Sequence, residues 1–345
     1  MTADTGRGLS PLPLMQLTTG FWAFKTLAAA HEFDLFSRLS GTTGTTAGEL
    51  ADALAIKERP ADMLLTGCAS LGLLEKNGSR SYINSPIAEE FLVRGKPSYF
   101  GGWVRMLDQR LYPGWGRLAE AIRTNRPTTW DPDRQDSLFD GEDPELLAVF
   151  WEAMHSLSTF TARALGRAVD LSGTRRLLDV GGGSAAFDIE LCRLYPNLTA
   201  TVFELPRVAE IAAGKVEQAR LAERIGTVAG DFFAQPALPG GHDAILLSMI
   251  LHDWAEDRCR AILRKCWASL PSGGQVIIAE LLVDDERTGP PAAALMSLNM
   301  LVETEGRNYT PAEYGAWLGD LGFQEIRTVW FEAVGANGAV IARKP

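Results

Sequence analysis

One segment in the second half of the chain constrains the fold more than any other: an apolar strand that leads into three glycines and then into a helix. The predicted strand is Arg176–Val180, the loop is Gly181, Gly182 and Gly183, and the helix covers Ala186–Leu194. Glycines let backbone N–H groups approach a ligand, and the start of a helix favours phosphate or other polar groups. We therefore expect a parallel α/β sheet that carries a nucleotide-type ligand on this glycine loop.

Short apolar segments alternate with helices to the end of the chain, which is typical of a sheet covered by helices. The predicted strands are Arg176–Val180, 200–204, Ile225–Ala229, 243–248, 275–281, 323–329 and Gly338–Arg343. The last two are separated only by a loop, which predicts an antiparallel last strand. A chain of 345 residues has room for about two domains. We assign 1–100 to an N-terminal domain, 101–170 to a helical linker and 171–345 to the α/β domain.

The first hundred residues have the order helix, helix, hairpin. Apolar residues recur at helical spacing over 14–39, Thr46 and Glu49 have the spacing of a capping box, and a further helix begins at Pro60. Asn77-Gly78 then joins two short strand-like segments. This order is typical of a winged-helix module, and the wide apolar arc of 14–39 predicts contact with a partner subunit.

A winged helix raises the alternative of a DNA-binding regulator, and the charges argue against it. The chain has 33 Lys and Arg against 43 Asp and Glu, a formal net charge of −10. Nucleic acids and anionic membranes attract clustered Lys and Arg. The segment 60–74, where a recognition helix would lie, contains no basic residue. We expect no nucleic-acid partner and interpret the module as a structural or dimer-forming appendage.

The cellular compartment is inferred from targeting and membrane segments that are not found in the sequence. No stretch reaches the roughly 18 apolar residues of a membrane span, and the N-terminus does not resemble a signal peptide. Cys68, Cys192, Cys259 and Cys266 have neither C-x-x-C spacing nor a histidine at ligand spacing. We expect a cytoplasmic protein with reduced thiols, no membrane association and no structural zinc.

Glu204 ends the second predicted strand of the α/β domain, where a carboxylate can accept both hydroxyls of a ribose. Its alternative is a solvated charge at a strand end. The glycine loop also fits the dinucleotide fingerprint, with Ala186 at the third small position. The loop and Glu204 therefore indicate adenosine and leave NAD and S-adenosylmethionine (SAM) open.

Three further features favour SAM. Asp179 lies two residues before the first glycine, where it can reach the amino-acid portion of the ligand. Gly230, Asp231 and Phe232 follow the third strand and place a carboxylate and an aromatic ring beside the adenine. The antiparallel last strand suits a methyltransferase sheet.

The motifs taken together resemble those of small-molecule SAM-dependent O-methyltransferases. They are LDVGGG at 178–183, VFELP at 202–206, GDFF at 230–233 and LHDW at 251–254. This family includes plant caffeate and flavonoid enzymes, animal acetylserotonin O-methyltransferase and bacterial antibiotic-tailoring enzymes. The segment NMLVETEG at 299–306 looks most like the acetylserotonin branch. The resemblance implies a Rossmann-like methyltransferase sheet behind a mainly α, winged-helix-like dimerisation domain, and hence a homodimer.

The resemblance also implies a general base, His252, and a glutamate that orients it, Glu280. The chemistry agrees, because an imidazole with a pKa of about 6.5 is a usable base and a neighbouring carboxylate fixes its tautomer. Asn308 stands where the family usually has a second glutamate. Asparagine can orient a ring but cannot act as a carboxylate, so N- or C-methylation and a non-methylating relative stay open as alternatives.

The remaining assignments carry over from the family. The cofactor is SAM with S-adenosylhomocysteine (SAH) as product, no metal is expected, and the acceptor is a small, aromatic secondary metabolite. The predicted cofactor residues are Asp179, Gly181, Gly183, Glu204, Leu205, Gly230, Asp231, Phe232 and Ser248. The predicted acceptor residues are Trp103, Met106, Met154, His155, Asp253 and Asn299. For Met154 and His155 the alternatives are core packing and a polar helix face.

Overall fold

A computed structural model describes residues 10–134 and 144–345, with the backbone alone for 144–148. Contacts between Cα atoms divide the chain into two compact units, Met1–Asp108 and Gln109–Pro345. The three-part division into 1–100, 101–170 and 171–345 stays a prediction.

The first unit is mainly helical, with one two-stranded hairpin. Its elements are α1 (Leu12–Glu32), α2 (Leu35–Leu39), α3 (Ala47–Leu54), α4 (Glu58–Ser70), β1 (Leu74–Asn77), β2 (Ser81–Asn84), α5 (Pro86–Phe91) and α6 (Gly101–Met106). The predicted capping box starts α3, because Thr46 Oγ1 accepts from the Glu49 N–H while Glu49 Oε2 accepts from the Thr46 N–H. The hairpin closes with Asn77 opposite Ser81 and Gly78 at φ 74°.

Two helix predictions in this unit need correction. The segment 14–39 is two helices, because Asp34 takes the left-handed conformation at φ 54° and interrupts the pattern. Helix α4 begins at Glu58, and Pro60 lies within its first turn, where proline is tolerated. Apolar spacing alone does not reveal a one-residue break.

The second unit contains the larger sheet and the helices around it. A π-helical turn (Leu107–Leu111) leads into it. Its elements are α7 (Tyr112–Trp115), α8 (Leu118–Thr124), α9 (Pro144–Ala168), β3 (Arg176–Val180), α10 (Ala186–Leu194), β4 (Thr199–Glu204), α11 (Pro206–Gln218), β5 (Ile225–Ala229), β6 (Ala244–Ser248), a 3-10 turn (Leu251–Asp253), α12 (Glu256–Ser269), β7 (Gln275–Glu280), α13 (Pro291–Glu303), α14 (Pro311–Asp320), β8 (Gln324–Trp330) and β9 (Gly338–Arg343).

The sheet has seven strands in the order β5-β4-β3-β6-β7-β9-β8. Strands β3 to β7 pair in parallel, and β9 is antiparallel to both of its neighbours, which confirms the antiparallel last strand. All seven predicted strands are present, with ends within one residue of the prediction. The strand order reverses at β3, so the carboxyl ends of β3 and β6 form the crevice in which ligands of such sheets bind.

Side chains on β3 alternate between the two faces of the sheet, because neighbouring residues of a strand point to opposite sides. Leu177 packs in the core beneath α9 and α10, whereas Leu178 packs in the core beneath α12 and α14. Two-sided burial also explains why the fully buried strands β6 and β7 appear as apolar runs in the sequence. Among the described residues, no helix is long and apolar enough to cross a membrane.

Candidate active site

The glycine loop between β3 and α10 leaves an open space beside its backbone. Side chains at these positions would occupy that space. Gly181 takes φ 74° and Gly183 takes φ 55°, values that favour glycine. A Cβ added to Gly181 would lie 2.5 Å from Ile250 Cδ1, and one added to Gly183 would lie 2.9 Å from Trp151. Close packing and positive φ therefore both require glycine, and the loop's backbone stays accessible to a ligand.

Two buried acids lie under this loop. The carboxyl groups of Asp179, near the end of β3, and Asp188, in the first turn of α10, are buried close enough to each other to interact electrostatically. Burial and the repulsion by Asp188 raise the pKa of Asp179 well above its usual value, and burial raises the pKa of Asp188 to about 6. No donor among the described residues reaches Asp179 Oδ2. The pair thus shares a proton or binds a cationic group; Asp188 gave no signal in the sequence.

Glu204 and Leu205 join the end of β4 to the glycine loop. The Glu204 carboxylate accepts hydrogen bonds from the backbone N–H of Leu205 and that of Gly183. Burial raises the pKa of Glu204 to about 7, although these hydrogen bonds oppose the rise. The carboxylate therefore lies beside the loop. Its remaining lone pairs could accept hydrogen bonds from the hydroxyls of a ribose.

The turn after β5 is held in place by Lys265, which no sequence pattern had singled out. Asp231 Oδ1 accepts from the Phe233 N–H at 2.6 Å. Lys265 Nζ donates to the carbonyls of Phe232 and Phe233 at 2.6 and 3.1 Å. Gly230 has no room for a Cβ, which would meet neighbouring side chains at 2.4 and 2.5 Å. This rigid turn places Phe232 beside the glycine loop.

Ser248 ends β6 on the other side of the crevice. Its side chain is buried, and its hydroxyl has no hydrogen-bond partner in the part of the chain that the structure describes. A buried polar atom without a partner is costly, so this hydroxyl is available to a ligand or a water molecule.

His252 lies in the 3-10 turn after β6, and Glu280 at the end of β7 holds both its backbone and its ring. Glu280 Oε1 accepts from the N–H groups of Ile250, Leu251 and His252 at 3.1, 3.0 and 3.4 Å. Its other oxygen, Oε2, lies 2.6 Å from His252 Nδ1. Because Nδ1 is engaged by Glu280, Nε2 is the ring nitrogen left for proton transfer, and Asp253 Oδ1 lies 3.7 Å from it.

Several acidic groups lie near the His252 ring and change its pKa. Burial lowers the pKa of His252, but Glu280, Asp253 and Glu303 outweigh it, so that the pKa rises to about 9. Burial raises the pKa of Asp253 to about 7. The imidazole is therefore a stronger base than a free histidine, and it binds its proton more tightly at neutral pH.

Backbone packing supports the turn from a second side. A Cβ added to Gly306 would lie 2.1 Å from the carbonyl oxygen of His252 and 2.4 Å from the Trp254 nitrogen. The Tyr309 hydroxyl donates to the Trp254 carbonyl at 2.7 Å. The sequence prediction missed both supports, because the segment 306–309 is far from the LHDW motif along the chain.

Asn308 is buried and tied to the backbone. Its Nδ2 donates to the Leu281 carbonyl at 2.7 Å, and its own N–H donates to Ser297 Oγ at 3.0 Å. No hydrogen bond joins Asn308 to His252 among residues 10–134 and 144–345. A catalytic role for Asn308 stays a prediction.

The predicted acceptor residues are distributed over both units. Trp103 and Met106 lie on α6 in the first unit. Met154 is half-buried on α9, and the neighbouring His155 Nδ1 lies 2.8 Å from Ser184 Oγ at the glycine loop. Burial lowers the pKa of His155 to about 4, so this imidazole is neutral. Their assignment to an acceptor site stays a prediction.

Asn299 on α13 accepts from Trp115 Nε1 at 2.8 Å and donates to Glu303 Oε2 at 3.3 Å. Glu303 was not singled out in the sequence, although its spacing of four residues from Asn299 places both on one helix face. Its carboxylate is close enough to His252 to raise the pKa of that ring.

The sheet order, the glycine loop and the carboxylates at the strand ends define a SAM-dependent methyltransferase. Comparisons with known proteins agree. Residues 115–324 match the O-methyltransferase domain family, and residues 15–94 match the O-methyltransferase dimerisation domain family. The chain belongs to the SAM-dependent O-methyltransferases.

Three relatives illustrate the similarity. The chain is 51% identical to a 3-hydroxy-5-methyl-1-naphthoate 3-O-methyltransferase of Streptomyces sahachiroi, with 100% of both chains covered. It is 35% identical to the tetracenomycin polyketide synthesis 8-O-methyl transferase TcmO of Streptomyces glaucescens, with 97% of both covered. The solved structure of human N-acetylserotonin methyltransferase in complex with SAM matches with a TM-score of 0.86 and 29% identity over 99% of both chains.

The residues present fit SAM. Asp179 offers a buried carboxylate oxygen without a donor, Gly181 and Gly183 leave the backbone open, and Glu204 lies beside them. These residues could hold the amino-acid portion, the sulfonium region and the ribose. No group of three or more metal-ligating side chains is found in the part of the chain that the structure describes. The expected absence of a metal stays a prediction.

Proposed function

We propose that the protein transfers the methyl group of SAM to a hydroxyl of a small aromatic secondary metabolite, with His252 as the general base. The observation that carries the proposal is the 2.6 Å contact of His252 Nδ1 with Glu280 Oε2, which leaves Nε2 for the acceptor. SAM on the glycine loop supplies the methyl group on a sulfonium, which is already a good leaving group. The protein must therefore align the acceptor and remove its proton.

The proton path follows from the two ring nitrogens. Nδ1 keeps its proton beside the Glu280 carboxylate, so that Nε2 presents a lone pair to the acceptor hydroxyl. As Nε2 takes up the hydroxyl proton, the ring becomes cationic, and Glu280 and Asp253 stabilise that charge. The same carboxylates that raise the pKa of His252 thus lower the cost of proton transfer.

The nature of the acceptor is proposed from the relatives. By their names, one acts on a hydroxynaphthoate and another functions in tetracenomycin polyketide synthesis. We extend this chemistry to the present chain as an aromatic hydroxyl on a fused or single ring. NMR of the methylated product identifies the oxygen, and methylation at nitrogen or carbon would contradict this part of the proposal.

The test of the base is His252→Ala, assayed with labelled SAM and a panel of hydroxynaphthoates and phenols. We expect the rate of methyl transfer to fall by about 10²–10⁴-fold, the usual contribution of a general base. SAH binding, measured by calorimetry, should persist because no cofactor-binding atom is removed.

His242→Ala is the matched control. His242 lies in the loop before β6, where its Nε2 contacts Thr201 Oγ1 at 3.0 Å, outside the His252 turn. This variant should keep its turnover. Undiminished methyl transfer by His252→Ala would exclude His252 as the base.

A further inference from the structure

A buried polar cluster formed by Arg110, Trp115, Asn299 and Glu303 lies beside the catalytic turn, and no step of the proposed mechanism uses it. Arg110 Nε donates to Glu303 Oε1 at 3.0 Å. Asn299 Nδ2 donates to the other carboxylate oxygen of Glu303, and Trp115 Nε1 donates to Asn299 Oδ1. Asn299 and Glu303 are one turn apart on α13. We refer to these four residues as the Arg110 cluster.

Within the part of the chain that the structure describes, most of the hydrogen-bond donors of Arg110 have no partner. Arginine has five N–H donors in a planar fork, and Glu303 engages the Nε–H. Among the described residues, neither Nη1 nor Nη2 of Arg110 makes a hydrogen bond, although the side chain is only 15% exposed. Its Cζ lies 5.5 Å from the centre of the Phe150 ring. A buried guanidinium whose two terminal NH2 groups have no described partner, and which lies beside an aromatic ring, is suited to a planar anionic ligand.

The cluster is next to the reacting position. The 3-10 turn that carries His252 packs against α13, the helix of Asn299 and Glu303. Glu303 is close enough to His252 and Asp253 to raise the pKa of both groups, and it contacts Arg110 directly. An acceptor whose hydroxyl faces His252 can therefore extend toward Arg110.

Two features favour a ligand over a purely structural ion pair. Arg110 lies in the π-helical turn Leu107–Leu111, and π-helical turns occur frequently at functional sites. The surroundings of His252 are acidic, with Glu280, Asp253 and Glu303 near the ring. An anionic acceptor would be repelled by these groups in the absence of a facing cation, and Arg110 is a cation in that position.

We propose that Arg110 binds the carboxylate of the acceptor, so that the enzyme methylates hydroxy-aromatic acids in preference to neutral phenols. This inference rests on the proposed function and specifies its substrate class. Nη1 and Nη2 bind the two carboxylate oxygens, and Phe150 lies beside the guanidinium. Glu303 is a positioning residue, because it holds Nε and thereby orients the fork.

The test compares two acceptors that differ only in the carboxylate, 3-hydroxy-1-naphthoate and 2-naphthol. In the wild-type protein we expect a lower KM for the acid. Arg110→Met should raise the KM for the acid by about 10- to 100-fold, the usual effect of a lost charge-assisted hydrogen-bond pair, with a much smaller change in kcat. The KM for 2-naphthol should stay unchanged, and any change in kcat should be equal for the two acceptors, because Glu303 loses its partner in either case.

Arg163→Met is the matched control. Arg163 also donates from Nε to a carboxylate, Glu190 at 2.7 Å, and its Cζ lies 5.9 Å from the Phe160 ring, but it is on the outer part of α9 and 45% exposed. This variant should leave both KM values unchanged. If Arg110→Met fails to fold, Arg110→Lys takes its place, with a several-fold higher KM for the acid and no change for 2-naphthol.

Calorimetry of 3-hydroxy-1-naphthoate binding to the SAH-loaded protein separates this inference from the proposed function. It needs no turnover, so a wrong base or a wrong methylated atom does not affect it. Loss of acid binding in Arg110→Met supports the carboxylate site even where neither acceptor is methylated. Equal losses for both acceptors, or acid binding that Arg110→Met leaves intact, would overturn it and leave Arg110 as a structural tether.

Discussion

The ring of His252 shows how single residues set the chemistry of the site. The family resemblance predicts a second glutamate at position 308, and the chain has Asn308 there, bound to the Leu281 carbonyl. Acidic groups reach the ring from other positions instead, namely Asp253 in the same turn and Glu303 on α13. The surroundings of the ring are therefore acidic although position 308 carries no carboxylate.

The pH dependence of the reaction follows from these groups. The pKa of His252 is raised to about 9, and only the neutral ring can accept a proton. We expect kcat/KM to rise about tenfold per pH unit from pH 7 toward pH 9 and then to level off, because kcat/KM reports the free enzyme.

Glu280→Gln tests the cause of that pH dependence. The amide keeps an oxygen for the N–H groups of Ile250 and Leu251 but removes the charge that raises the pKa of His252. Burial then dominates, so the rising limb of the pH profile should move to lower pH. The plateau should fall by less than the about 10²–10⁴-fold loss expected for His252→Ala. A profile whose rising limb stays at the wild-type pH would contradict the role of Glu280.

Among the elements, the 3-10 turn Leu251–Asp253 depends most on packing from distant parts of the chain. Gly306 touches its backbone, so Gly306→Ala would place a methyl group 2.1 Å from the His252 carbonyl oxygen. We expect the free energy of unfolding to drop by about 1–3 kcal/mol and the turn to shift. A displacement of about 1 Å can cost about 10²-fold in rate. Thermal unfolding and kcat measure the two effects.

Gly214→Ala is the control, because Gly214 lies inside α11 with open space around its Cα. Alanine at a helix interior should stabilise the protein by about 0.5–1 kcal/mol and leave the rate unchanged. A Gly306→Ala protein with normal stability and rate would show that the turn can move without consequence.

The elements were predictable from the sequence to different degrees. The central strands β3, β6 and β7 were predictable, because parallel strands buried on both faces are apolar runs. Glu280 was predictable only through the family resemblance. The pairing of Arg110 with Glu303 could not be predicted, because 193 residues separate the partners and no local pattern links them. The left-handed Asp34 was missed because apolar periodicity carries no information on a single φ angle.

On the scale of the whole molecule, α1 presents apolar side chains that are exposed among the described residues. Leu17 is 78% exposed, Phe21 is 50% exposed and Trp22 is 61% exposed. Exposed apolar patches of this kind mark protein interfaces. The match of residues 15–94 to the dimerisation domain family supports a homodimer. We expect a second copy of the chain to cover this helix.

The double variant Leu17→Glu, Phe21→Glu tests this arrangement. Both residues lie on one face of α1, four positions apart, and glutamate is a good helix former, so the helix should persist. Burying two charges at the interface is costly, so sedimentation should give the mass of one chain where the wild-type protein gives two. Ile122→Glu, at a 59% exposed site on α8, should leave the dimer intact. A double variant that sediments as a dimer at micromolar concentration would place the interface elsewhere on the chain.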